Sequence, residues 1–188
     1  MAGAYKYNGN VSYELINGEF RMMSRPSVNH MTIEGNILAT FKNYLKGKSC
    51  RPFNETDVFL DDMNNFVPDV MIVCDPEIIE EDGIHGAPDL VVDILSKSTK
   101  KLDRDDKFYK YEQHGIKEYW IVDPFMKCVE VYHLIEGKFV KTCDAQLYTE
   151  REYSRLNDKE KAEVISEIKV SLYDDFVVKV EDVFEYVK

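Results

Sequence analysis

Pro88-Asp-Leu-Val-Val-Asp-Ile-Leu95 is a nearly continuous apolar run, and Val67-Pro-Asp-Val-Met-Ile-Val73 upstream is another. Runs of this length and β-branched content read as central strands covered on both faces, since a half-exposed strand would alternate apolar and polar residues. Each carries acid at a strand position: Asp69 in the first, Asp89 and Asp93 in the second. A carboxylate on an apolar strand is costly unless it finds a partner or a cation. Asp89 and Asp93 are four residues apart and share one face of an extended chain, with Asp89 at its entry. Two readings stay open for each aspartate: a cap for a strand end or for backbone N–H groups, or a ligand for a metal ion.

Working outward, Arg51 to Leu60, Phe66 to Cys74 and Asp89 to Leu95 read as three strands, and the acidic stretch from Asp75 to Gly83 reads as a solvated loop. Near the start, two β-prone arms flank Asn17-Gly18, the dipeptide that best tolerates the positive φ angles of a two-residue hairpin turn. From Ser27 or Asn29, Met31, Ile33, Ile37, Leu38, Phe41, Tyr44 and Leu45 follow helical spacing up to Gly47, and Glu34 lies on this helix. Ser98 or Thr99 could cap a second helix ending near His114 and Gly115. Glu118 to Pro124 is a further buried strand, and Val129 to Leu134 with Phe139 to Thr142 form a hairpin about Glu136-Gly137. Tyr148 to Ile168 mixes helix signals, and Tyr173 to Tyr186 suits a terminal packing element. This order is α/β, or α+β, and no repeat, linker or low-complexity tract divides residues 1–188, so one domain is expected.

Composition bounds the function. With 188 residues, 44% of them hydrophobic, the chain can bury a core. The formal net charge of −11 repels a polyanion at long range, although Lys97 to Lys110 forms a basic island that could equally be a solvated helix face. No apolar run is long enough to span a bilayer and the start lacks a signal-peptide core, so a cytoplasmic protein without membrane contact is expected. Cys50, Cys74, Cys128 and Cys143 are scattered, which points to reduced thiols and away from a disulfide framework or a zinc site. His30, His85, His114 and His133 show no i, i+4 pairing and read as surface or capping residues. Nucleotide-binding glycine motifs, the nucleophile elbow and the zincin motif are all absent.

Several separated blocks then occur in one order: Tyr13-Glu-Leu-Ile-Asn-Gly-Glu19, Val67-Pro-Asp-Val70, Ala87-Pro-Asp-Leu-Val-Val-Asp-Ile-Leu-Ser96, Asp103 with Lys107 and Tyr111, and Gly115-Ile-Lys-Glu-Tyr-Trp-Ile-Val-Asp-Pro124. Together they resemble the bacterial Uma2 family of endonuclease-like proteins over most of residues 12–142. The resemblance implies a restriction-endonuclease-like fold of the PD-(D/E)XK type, a mixed central β-sheet flanked by helices, here with an N-terminal β-hairpin. It also implies metal-dependent cleavage of phosphodiester bonds in DNA. Asp69 matches the first catalytic acid and Asp93 the second, which is usually glutamate in the family. The superfamily lysine position is occupied by Leu95, so the resemblance assigns that role to Lys107 on the next helix, with Lys97 as a second candidate. Glu34 matches an accessory acid, while Asp89 and Asp103 are read as structural or supporting. Asp69, Asp93 and the backbone carbonyl of Ile94 would hold Mg²⁺ or Mn²⁺, hard ions that favour oxygen ligands.

These assignments carry three further expectations. The carboxylates of Asp69 and Asp93 should converge on one cleft. Loss of Lys107 should reduce cleavage by ~10²-fold while barely changing stability. Two chains should pair as a homodimer, the commonest oligomer. The competing reading is a non-catalytic or accessory oligomeric protein that keeps the nuclease fold, favoured by the acidic balance and by aspartate at position 93.

Overall fold

The computed structural model describes residues 13–96 and 106–188. Its centre is a six-stranded mixed sheet in the order β10-β9-β8-β7-β6-β3. The strands are β3 (Arg51–Asn54), β6 (Val70–Val73), β7 (Leu90–Ile94), β8 (Glu118–Asp123), β9 (Cys128–Ile135) and β10 (Lys138–Gln146). Only the β7–β8 pair is parallel; its neighbours run antiparallel. β6, β7 and β8 are buried at every residue, as their unbroken apolar sequences require.

One face of this sheet is covered by helix α1 (Val28–Leu45) together with the C-terminal β11 (Glu167–Lys169), β12 (Val177–Lys179) and α5 (Val180–Val183). Ser27 caps α1 by accepting the His30 N–H, and Ile33, Ile37, Phe41 and Leu45 form its buried stripe. Phe41 meets Trp120 of β8 edge-on, with ring centroids 5.8 Å apart. Gly47, at φ 80°, follows the helix end in the left-handed region.

Among the described residues, the other face packs against a second sheet, β2-β1-β5-β4, made of β1 (Tyr13–Ile16), β2 (Glu19–Met22), β4 (Val58–Asp61) and β5 (Asn64–Phe66), and against the short α2 (Phe108–Gln113). β1 and β2 form the expected hairpin about Asn17 and Gly18, whose φ angles of 53° and 81° are those the turn demands. Two expected strands are each split. Arg51 to Leu60 breaks where Glu55 takes φ 44°, sending β3 and β4 into different sheets. Phe66 to Cys74 breaks at Val67-Pro68-Asp69, because Pro68 has no N–H to continue a ladder.

The second expected helix is described only from Asp106 onward; Lys97, Asp103 and the start of that helix lie outside the described residues. Two short helices, α3 (Glu150–Tyr153) and α4 (Asp158–Ala162), each start with a capping box. The cysteine expectation needs correction for one pair. The register that sets Arg51 opposite Val73 brings Cys50 and Cys74 together beyond it, and they form a disulfide, leaving Cys128 and Cys143 as free thiols.

Candidate active site

Asp69 sits in the break that Pro68 makes between β5 and β6. Since Val70 faces Val92 across the β6–β7 ladder, Asp69 arrives beside Asp93 at the same end of the strand pair. The two acids take different partners. Asp69 Oδ2 accepts the Ile94 N–H at 2.5 Å, while its Oδ1 lies 2.8 Å from His30 Nε2. Asp93 receives the Tyr119 hydroxyl at 2.9 Å on one oxygen and approaches Lys107 Nζ at 3.4 Å with the other.

Lys107 lies at the turn into α2 and is 4% exposed, so it is a buried cation and not a solvated helix lysine. Its Nζ is 2.9 Å from Glu14 Oε1, and Glu14 also accepts the Val67 N–H at 3.0 Å. Glu14 therefore ties three segments together: its own strand β1, the Pro68 break and the turn carrying Lys107. Arg21 of β2 reinforces that link through Asp106, at 3.0 Å.

Glu34 stands one helical turn beyond His30 on the buried side of α1, and its Oε1 accepts from Asn54 Nδ2 at 2.9 Å. Burial, Glu55 and Asp69 disfavour its charged form and outweigh the Asn54 bond and His30, so the Glu34 pKa is raised. For His30, burial opposes the imidazolium. The Asp69 hydrogen bond and the negative charges of Asp69, Glu34 and Asp93 outweigh that penalty and raise its pKa. His30 thus registers the field of three of the expected site acids at once.

Sequence reasoning had read His30 as a surface or capping residue. Its burial on Asp69 corrects this, and the usable signal was the i, i+4 spacing of His30 and Glu34 beside Ile33 and Ile37. Glu14 was missed as well. It shares a strand face with the fully buried Ile16, which is where a surface glutamate would not be placed. Asp89 takes the structural role expected of it, with Oδ2 accepting the Cys74 N–H at 2.7 Å and Oδ1 meeting Lys117 at 2.7 Å.

The oxygen donors of Asp69, Asp93 and Glu34 suit a hard divalent ion in kind. They do not close a three-donor cage. Among the described residues, the group whose donor atoms all lie within 4.8 Å of one another is the exposed Glu80, Asp82 and His85, none of them an expected ligand. An ion at Asp69 and Asp93 would have to use those two carboxylates, a backbone carbonyl such as that of Ile94, and water or substrate oxygens.

The comparisons with known proteins bear on this arrangement. Residues 4–170 match the model of the Uma2 family, described as "Putative restriction endonuclease". The chain belongs to the Uma2 family. A crystal structure described as that of "a putative nuclease belonging to DUF820" from Anabaena variabilis ATCC 29413 aligns with a TM-score of 0.64 at 20% identity. The alignment covers 94% of this chain and 92% of that one, and at this identity it shows a shared fold. A Synechocystis sp. relative, "Uncharacterized protein slr1290", is 30% identical over 124 residues, which are 64% of this chain and 65% of that protein. This chain therefore spans just under two thirds of that relative's length. Among the described residues of this Uma2 protein, no helix is long and apolar enough to cross a membrane.

Proposed function

We propose that this Uma2 protein is a metal-dependent endonuclease that hydrolyses phosphodiester bonds in DNA, working as one domain over residues 1–188. The observation that carries the reading is the contact of buried Lys107 with Asp93 beside Asp69, on adjacent strands of a fold shared with a solved nuclease-like chain. Asp69 and Asp93, with the Ile94 carbonyl, would hold Mg²⁺ or Mn²⁺, which when bound would supply Lewis-acid chemistry at the scissile phosphate and a more acidic water, and Glu34 would position a water at the edge of the site. Lys107 neutralises charge that develops on the phosphate, a role suited to a preorganised ammonium in a water-poor site. His30 and Tyr119 fix the two carboxylates, and Glu14 fixes the ammonium. A homodimer would present two such sites to the two strands of a duplex, and a monomeric mass by light scattering at micromolar concentration would remove that clause.

A second reading has its own observation: three of the four Asp69 and Asp93 oxygens already accept protein N–H or O–H groups and the fourth faces Lys107, as in a site that only holds the fold together. The deciding experiment is divalent-dependent cleavage of single-stranded, duplex and branched DNA by the wild type and by Asp69→Asn, with calorimetry of Mg²⁺ and Mn²⁺. The endonuclease reading expects weak ion binding to the free protein, tighter binding with DNA, and loss of cleavage in the variant. An intact fold that binds no divalent ion with or without DNA would establish the accessory reading instead.

A further inference from the structure

The Cys50–Cys74 disulfide closes one end of β3, and the candidate active site begins at the other. β3 stands last in the sheet order, with β6 as its neighbour. Its ladder is four residue pairs long, and one pair contains Pro52, which can accept but not donate. At the far end, Asn54 Nδ2 donates to Glu34 Oε1 at 2.9 Å, and the Glu55 N–H donates at 3.2 Å to the carbonyl of Pro68, the residue before Asp69. Cys50 and Asn54 are separated by roughly 13 Å of extended chain. One short edge strand therefore joins a covalent bond to the placement of a candidate acid.

The two sulfurs are unequally placed. Cys50 is 6% exposed and its Sγ accepts the Tyr173 hydroxyl at 3.2 Å, whereas Cys74 is half-buried. The Lys48 ammonium lies 4.9 Å from the centre of the Tyr173 ring. An incoming thiolate therefore has readier access to Cys74, and the departing Cys50 sulfur keeps a hydrogen-bond donor with a cation close behind it. Access to the attacked sulfur and a stabilised leaving thiolate are what speed exchange. The two ends also respond differently once the bond opens. Cys74 stays in place, because Asp89 Oδ2 accepts its N–H at 2.7 Å and β6 keeps its pairing with β7. The freedom gained falls on β3 and passes along it to Asn54 and Glu34.

We propose that Cys50 and Cys74 form a thiol–disulfide switch on the candidate active site: oxidation fixes β3 and with it Glu34, and reduction by a dithiol releases both. The inference rests on the endonuclease reading and deepens it by naming how the site is regulated. In the reducing direction a thiolate of the dithiol attacks Cys74 Sγ, the S–S bond breaks, and Cys50 leaves as a thiolate and takes up a proton. The second thiol of the reductant, as its thiolate, then attacks its own sulfur in the mixed disulfide, and Cys74 leaves and is protonated. The protein gains two electrons and two protons, and the dithiol becomes a disulfide.

The test reads β3 apart from cleavage. Hydrogen exchange of the Phe53, Asn54 and Glu55 amides is followed with and without dithiothreitol, in wild type, in Cys50→Ser/Cys74→Ser and in Cys128→Ser/Cys143→Ser, with DNA cleavage measured on the same samples and thermal melts confirming folding. Reduction of wild type should speed exchange of these amides about 10-fold or more, the signature of local opening, while β7 and β8 stay protected, and cleavage should fall several-fold. Removing the reductant and reoxidising should restore both. Cys50→Ser/Cys74→Ser should behave as reduced wild type under either condition, and Cys128→Ser/Cys143→Ser should keep the full response. If β3 exchanges alike in both redox states and cleavage does not change, the switch is wrong while the endonuclease reading stands. A reductant response that persists in Cys50→Ser/Cys74→Ser also overturns the switch. A folded wild type that cleaves DNA in neither state overturns both readings.

Discussion

Lys107 offers the sharpest perturbation, because its ammonium is shared by two buried carboxylates. Replacing it with Met keeps most of the stem volume and removes the charge. Glu14 and Asp93 are 3% and 2% exposed, and after the change they retain only the Val67 N–H and the Tyr119 hydroxyl among the bonds described above. Breaking a buried pair by removing one partner costs about 3–5 kcal/mol. For a chain of this size each kcal/mol lowers the melting temperature by about 2–4 °C, so Lys107→Met should melt roughly 6–20 °C below wild type at neutral pH. This revises the expectation that loss of Lys107 would barely change stability, because the ammonium is buried against two carboxylates.

A second substitution tests the mechanism. Without the cation two buried carboxylates lose the partner they share, so Glu14→Gln in the Lys107→Met chain, which removes one of the two charges, should recover part of the deficit. Scanning calorimetry at neutral pH is the assay. A Lys107→Met protein that melts within about 2 °C of wild type would refute the assignment of Lys107 as the shared counter-ion.

The remaining predictions concern the periphery. The Glu118 carboxylate lies 3.5 Å from His133 Nε2, a long ion-pair contact, and it raises the His133 pKa against a smaller opposing effect of burial. That contribution is fully present below the unfolded histidine value and is lost as pH rises through the folded one, so an NMR titration should place His133 above 6.5, and Glu118→Gln should bring it down. Cys50 and Cys74 close a loop with a sequence separation of 24, worth about 3 kcal/mol on the chain-entropy scale. Reduction should lower the melting temperature measurably, and alkylation without reductant should label Cys128 and Cys143 alone.

What was legible in the sequence follows from locality. Asn17-Gly18 set a hairpin within the ten residues from Tyr13 to Met22, and Ser27 with the Ile33, Ile37, Phe41 stripe set α1, because a turn, a cap and an apolar period are written in nearby positions. The buried strands β6, β7 and β8 were visible as apolar runs. The facing sheet was not, since it depends on Glu55 and Pro68 breaking two strands so that β4 and β5 leave the main sheet for β1. Cys50 and Cys74 could be paired only once the β3–β6 register was known. Glu14 and His30 were passed over for the same reason: each is decided by a partner 39 or more residues away, Asp69 for His30 and Val67 or Lys107 for Glu14.

The same long-range contacts explain how a cluster of acids survives in the interior of an acidic protein. Glu14 and Asp93 share Lys107, Asp69 meets His30, and Glu34 accepts from Asn54. Asp69 and Asp93 would otherwise repel each other across the strand pair, and they are held apart in direction: one turns to α1 through His30, the other to α2 through Lys107. The N-terminal hairpin is then part of the site and not an appendage, because Glu14 and Arg21 together clamp the turn on which Lys107 stands. Lys107 Nζ lies 3.4 Å from Asp93 but 2.9 Å from Glu14. The ammonium therefore sits nearer to the carboxylate of the N-terminal hairpin than to that of β7, so the hairpin does more than β7 to fix where it stands.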